Sequence, residues 1–310
     1  MTTAPAELTR RRAAAEHARP ARSLWQDAWF TFTRDRLAFS GLVILVALVA
    51  AVLAGPYLWA GSISEIDFSR ALQVPSLEHP FGTDDLGRDL LARVLSGGRV
   101  SIAVGITAVL LAITLGTAVG AFAGYFNKVD GPLMRLTDLF LSLPVLPLLL
   151  VLIYLFRDVL QAALGAQLGI FIMIVGVIGI LNWMPTARLV RASFLSLKQK
   201  EFVEAARCIG APDGRIIFRH ILPNVLSPVI VAATIGVGGA IITESTLSFL
   251  GLGFPSDTPT WGRLLFDSVN YLDIAPHWAI FPGLCIVVTV LSINFIGDGL
   301  RDALDPRRKI

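Results

Sequence analysis

Apolar residues fall in long blocks along this chain, not at strand spacing. Six stretches of mostly apolar residues stand out, at 38–59, 101–126, 133–156, 168–190, 225–252 and 278–299. Each reaches the ~20 residues that carry a helix across the hydrocarbon of a bilayer. Barrel strands would be ~10-residue segments of alternating character, and these runs are longer and more uniform. The pattern predicts an all-α integral membrane protein of six spans, because lipid leaves only helices or closed barrels able to satisfy the backbone. Within the spans, Pro144 and Pro147 are expected to kink the third. Gly116, Gly120 and Gly124 recur every four residues in the second, a spacing that lets another helix approach closely. Arg135 and Asp138 are expected to pair across one turn.

Composition supports this reading and removes others. Of 310 residues, 55% are hydrophobic and 16% charged, with a mean hydropathy of +0.70. Soluble domains carry about 25% charge. Disordered and fibrous classes are excluded by the apolar content and the absence of a short Gly or Pro period. Two cysteines cannot build a disulfide framework. Cys208 is expected in the cytoplasm and Cys285 in the membrane, both free. The net charge of +3 does not point to nucleic acid.

Lys and Arg set the orientation. With the N-terminus inside, the inner segments hold 20 basic residues and the outer ones six, namely Arg70, Arg88, Arg93, Arg99, Arg157 and Arg263. The positive-inside rule then gives N-in and C-in. The polar leader is longer than most signal peptides, so it is expected to be retained. Trp25, Trp29 and Phe32 share a helical face opposite Asp27, Arg34 and Arg36, which predicts an interfacial helix before the first span. The organisation expected is a cytoplasmic tail (1–37), the first span (38–59), an extracytoplasmic segment (60–100), a core of five spans (101–302) and a short tail (303–310).

Enzyme chemistry is thin. His17, His79, His220 and His277 have no metal-ligand spacing, and neither H-E-x-x-H nor G-x-x-x-x-G-K-S/T occurs. No nucleophile elbow is present. No catalytic residue, metal or cofactor is therefore expected in this chain. Gly236–Gly239 lies within a span and reads as packing. Glu244 is a charge deep in the fifth span, where charges are costly. With Ser245 and Ser248 it is a candidate for a polar path; hydrogen bonding to neighbouring helices is the alternative.

The most informative segment is the cytoplasmic loop, 191–223. Phe202, Ala205, Ala206 and Ile209 predict a short amphipathic helix. Gly210 suits its left-handed C-terminus. Pro212 suits the first turn of a second short helix, with Asp213 at its positive end. Ile216, Ile217 and Ile221 would face one way, and Pro223 marks re-entry into the membrane.

Glu204–Ala205–Ala206, then Gly210, then Leu222–Pro223 resembles the EAA motif of permease subunits in binding-protein-dependent ABC importers. One departure stands three residues before the proline, where the family has an apolar residue and this chain has His220. Two further segments resemble the second permease of dipeptide and oligopeptide importers: His79–Asp89, and Glu244–Gly253 followed by Thr260–Trp261–Gly262. The resemblance implies the type I importer permease fold and a coupling helix that docks on an ATPase subunit. Glu204, Ala205, Ala206, Gly210, Ala211, Pro212 and Asp213 would make that contact.

The same resemblance implies a second homologous permease, two ATPase subunits or domains that hold ATP and Mg, an extracytoplasmic solute-binding protein, and location in a prokaryotic cell membrane. Asp84, Asp85, Arg88 and Asp89 would form a charged cluster at the outer mouth, either a contact for the binding protein or a self-contained structural cluster. The function implied is import of di- or oligopeptides; nickel, glutathione or another small solute is the alternative. A stand-alone secondary transporter would need ion-coupling residues in broken midplane helices, and an intramembrane enzyme would need paired catalytic residues.

Overall fold

A computed structural model describes residues 24–304, and the expected tails at 1–23 and 305–310 lie outside them, as does the side chain of Trp25. Among the described residues the regular secondary structure is helical apart from one bridge between Thr83 and Asp89, and residues 59–89 and 250–260 are largely irregular. The first helices are α1 (Leu24–Arg34), α2 (Arg36–Leu58), α3 (Leu90–Tyr125) and α4 (Asn127–Ser142). Next come α5 (Val145–Leu164), α6 (Ala166–Leu181), α7 (Met184–Leu197) and α8 (Glu201–Cys208). The chain closes with α9 (Leu222–Phe249), α10 (Trp261–Ser268) and α11 (His277–Leu304). Among the described residues, five helices are long and apolar enough to cross a membrane: α2, α3, α5, α11 and a continuous helix Asp213–Phe249 that contains α9. α6 and α7, bent by 43° at a short break, make a sixth when taken as one span.

Several boundaries differ from expectation, each for a local reason. α3 begins at Leu90, not Ser101, because the Asp89 side chain accepts from Ala92 N at 2.7 Å and starts the helix outside the apolar run. The third span is not kinked at Pro144 but broken there. Leu143 is extended, as a residue before proline tends to be, and the span starts afresh at Val145. Pro147 then sits in the first turn of α5, where a missing N–H costs nothing. The expected second short helix of the cytoplasmic loop runs without a stop into the fifth span through a π-turn at Ile216–Ile221. Asp138 pairs with Arg188 at 2.5 Å on another helix, not with Arg135.

α1 packs on the end of the last helix. Ala28 and Phe32 are buried with Ala38 and Ala303. Trp29 stays exposed and stacks on Phe32 at 6.0 Å. The expected aromatic face is therefore divided between the bundle and the outside.

The glycine stripe does what its spacing suggests. A Cβ on Gly116, Gly120 or Gly124 would lie 2.6, 2.5 or 2.9 Å from the carbonyl oxygens of Trp183, Ala187 and Arg191. α3 and α7 thus touch backbone to backbone, with both repeats advancing by four residues. α3 also meets α2 through Arg99, whose Nε donates to Val52 O at 3.0 Å. Pro56 has no N–H to give that carbonyl, so Arg99 supplies the missing donor. The central core collects Val104 and Ala108 of α3 with Ile153, Ile174 and Ile178.

Candidate functional site

The cytoplasmic loop is a firm knob. α8 ends in a Schellman motif, in which Gly210 N donates to Arg207 O and Ala211 N to Ala206 O, with Gly210 at φ +81°. The helix is amphipathic with a register different from the one expected. Val203 and Ala206 face inward and pack with Ile216, Ile221 and Val225. Phe202, Ala205 and Ile209 face outward, and Ile209 is 85% exposed. Phe218 on the following helix is 70% exposed. Glu204, Gly210, Pro212 and Asp213 are exposed beside them, and Ala211 is half-buried. Of the expected contact residues, only Ala206 is turned into the bundle.

Polar ties fix this knob to the membrane helices. Tyr125, at the end of α3, donates its hydroxyl to Asp213 Oδ1 at 2.5 Å. Lys198 donates to Gly124 O, Tyr125 O and Asn127 Oδ1 at 3.3, 3.2 and 2.8 Å. Arg191 grips Asp130 through two nitrogens, and this pairing holds the Asp130 carboxyl below the ordinary carboxylate range. The sequence singled out Asp213 but not Tyr125 or Lys198; both close contacts across more than 70 residues, which no local pattern records.

Glu244 is fully buried and makes no ion pair among the described residues. Its carboxylate accepts from Ser101 at 3.0 Å and from Ser248 at 2.8 Å, with Ser245 at 3.5 Å. Ser101 in turn accepts from Trp261 N at 3.2 Å. The Trp261 indole donates to Val94 O at 3.0 Å. Glu244 therefore joins α3, α9 and the start of α10.

The outer segment brings its four expected charges together and buries three of them. Asp84 is wholly buried; it accepts from Leu86 N, from Arg88 N and from Arg88 Nε at 2.7 Å, and Arg93 lies at 3.4 Å. Asp89 caps α3 and meets His79 Nδ1 at 2.7 Å. Asp85 alone is half-exposed, with Tyr271 Oη at 3.4 Å. Arg93 reaches on to Ser256 O and Asp267, which Arg263 also holds at 2.8 Å. Burial lifts the Asp267 carboxyl above its ordinary range against the pull of Arg263, and the Asp85 carboxylate raises the Tyr271 phenol. Among the described residues, no group of three His, Cys, Asp or Glu is placed to hold a metal.

The spans, the bent fourth helix pair and the rigid loop between the fourth and fifth spans define a multi-pass membrane transport subunit. The chain belongs to the binding-protein-dependent transport system inner membrane component family, whose description matches residues 112–310. Residues 23–75 match the N-terminal transmembrane domain of oligopeptide transport permease C. It is 42% identical over 288 residues to the dipeptide transport system permease protein DppC of Alkalihalophilus pseudofirmus, covering 93% of this chain and 91% of that one. It is 42% identical over 289 residues to the oligopeptide transport system permease protein OppC of Escherichia coli, covering 92% of each. The glutathione transport system permease protein GsiD of Pectobacterium atrosepticum is 38% identical over 290 residues, covering 93% of each. The inward-facing MetNI methionine ABC transporter shares the fold, with a TM-score of 0.53 at 18% identity, over 68% of this chain and 96% of that one.

Proposed function

We propose that this chain is one of two permeases of an ATP-driven importer of di- and oligopeptides. It works with a homologous second permease, two ATPase subunits or domains and an extracytoplasmic peptide-binding protein. It carries no catalytic residue itself; ATP and Mg belong to the ATPases. The observation that carries the reading is the exposed apolar set Phe202, Ala205, Ile209 and Phe218 on a knob anchored to α3 and α9. Apolar side chains facing the cytoplasm in a rigid mount suit a protein groove. The named relatives supply the peptide.

In mechanism, the ATPases grip the knob and move it as a body. Asp213 and Lys198 pass that movement to α3, and the unbroken helix from Asp213 passes it to the fifth span. A cavity of about 410 Å³ between α3, α6, α7 and α9, bordered by Asn182, Thr186 and Thr243, forms this chain's half of the path. Glu244, Ser245 and Ser248 stand behind it as a frame.

The test is uptake of a labelled dipeptide by proteoliposomes containing the whole importer. ATP-dependent uptake that Ile209→Asp abolishes, with ATPase stimulation lost in parallel, supports the reading. No peptide uptake by the wild-type importer, or glutathione uptake in its place, overturns the substrate assignment.

A further inference from the structure

A cavity of about 470 Å³ opens at the outer mouth between the 82–89 loop, the end of α9 and α10. Its charged and polar border is Asp85, Arg88, Asp267, Ser256, Asn270 and Tyr271, with Asp267 already held by Arg263, and Phe249 and Phe266 give it apolar sides. The size suits a small ligand. Two of its groups are left with bonding capacity unused. Arg88 is only 8% exposed; its Nε is held by Asp84, and among the described residues its other side-chain nitrogens make no hydrogen bond. Among the described residues Asp85 makes no ion pair at contact distance; the Tyr271 hydroxyl lies at 3.4 Å, and Arg93 acts on it only from farther off. A buried guanidinium with open donors is suited to a carboxylate. A carboxylate without a cation in direct contact is suited to an ammonium group.

The charge balance narrows the ligand. Asp84, Asp85 and Asp267 stand against Arg88, Arg93 and Arg263 around this site. The signs cancel, so a ligand with net charge would leave a charge uncompensated in a partly desolvated place. A ligand carrying one carboxylate and one ammonium would not.

We propose that this cavity is an entry site for a zwitterionic peptide, with Arg88 receiving the α-carboxylate and Asp85 the α-ammonium. The side chains of the peptide lie between Phe249 and Phe266, where apolar rings accept many shapes. The site rests on the peptide-importer reading and deepens it: substrate leaving the binding protein is met by charges that match its two ends. Tyr271 is a positioning residue; it stacks on Trp278 at 5.3 Å and holds Asp85 at the rim.

The test uses the membrane complex of this chain with its second permease and ATPases in nanodiscs, without the binding protein, and saturation-transfer NMR with L-alanyl-L-alanine. Saturable binding is expected, weakened about tenfold by N-acetylation of the probe or by Asp85→Asn, and likewise by C-terminal amidation or Arg88→Lys. Asp85→Asn keeps the proposal testable if Arg88→Lys misfolds, because Asp85 is half-exposed and makes no ion pair among the described residues. Absence of saturable binding to the wild-type complex overturns the proposal. So does equal binding of the N-acetylated probe, or unchanged binding by Asp85→Asn. Weaker association of the binding protein with Asp85→Asn, at unchanged dipeptide binding, would assign the cavity to a protein contact instead. ATP-driven dipeptide uptake by the wild-type importer is measured separately, so failure of the site is distinguishable from failure of the transport reading.

Discussion

The hydroxyl of Tyr125 donates to Asp213 Oδ1 at 2.5 Å, joining the last residue of one membrane helix to the first residue of another. Arg207 lies over the same ring at 6.0 Å. The knob that faces the cytoplasm is thereby fastened to the second span as well as to the fifth. Tyr125→Phe removes only the hydroxyl. It is expected to lower unfolding stability by about 1 kcal/mol and to reduce the ATPase stimulation that peptide-loaded binding protein produces. Thermal unfolding in detergent and ATPase assay of the whole complex check the two effects.

Gly210 tests the turn itself. Its φ of +81° is open to glycine and costly for a β-branched residue, yet nothing lies within 4 Å of the place a Cβ would occupy. Gly210→Val therefore strains the backbone without a clash, by about 1–2 kcal/mol. Gly210→Asn, which tolerates the left-handed region, is expected to stay near wild type. Uptake and ATPase stimulation should fall for Val and hold for Asn; equal activity of the two would refute the coupling role of this turn.

Gly120 tests the helix contact. A Cβ there meets Ala187 O at 2.5 Å, so Gly120→Val forces α3 and α7 apart and is expected to prevent assembly of a detergent-stable complex. Gly131 has no neighbour within 4 Å, and Gly131→Ala serves as the tolerated control. Size-exclusion profiles of the purified complexes report both.

Glu244 is expected to matter for its hydrogen bonds. Glu244→Gln keeps an acceptor for Ser101 or Ser248 and should assemble. Glu244→Ala leaves the buried Ser101 and Ser248 hydroxyls without their acceptor and is expected to cost about 2–4 kcal/mol. Chemical denaturation of the two variants distinguishes this from a purely electrostatic role, for which both would fail alike.

The Asp130–Arg191 pair makes a pH prediction. Arg191 lowers the folded carboxyl below its unfolded value of about 3.9. The stabilisation is therefore fully present above the unfolded value and lost only as pH falls through the lower, folded one. Both side chains are partly exposed, so the pair contributes about 1 kcal/mol or less. Asp130→Asn is expected to cost the same at pH 5.5 as at pH 8, which thermal unfolding at the two values measures.

The spans, with the bent pair α6–α7 as the sixth, the Gly210 turn and the close approach at Gly116–Gly124 were all legible in the sequence. Each follows from composition or short periodicity: a run of apolar residues must meet lipid, a glycine must serve a turn or a contact. The break at Pro144 was half legible, since proline announces a disruption but not its depth. What only the tertiary structure decided were the partners. Asp138 lies one turn from Arg135 and yet pairs with Arg188, because α4 packs beside α7. Glu244 read either as a path residue or as hydrogen-bonded to neighbouring helices, and the fold surrounds it with serines from α3 and α9. Asp84, Asp85, Arg88 and Asp89 read as one charged cluster, either a contact surface or self-contained, and the outer segment buries three of them while leaving Asp85 at the rim. Hydrophobic pattern sets which residues leave water. Which polar groups then meet is set by packing between helices far apart in the chain, and sequence spacing carries no record of that.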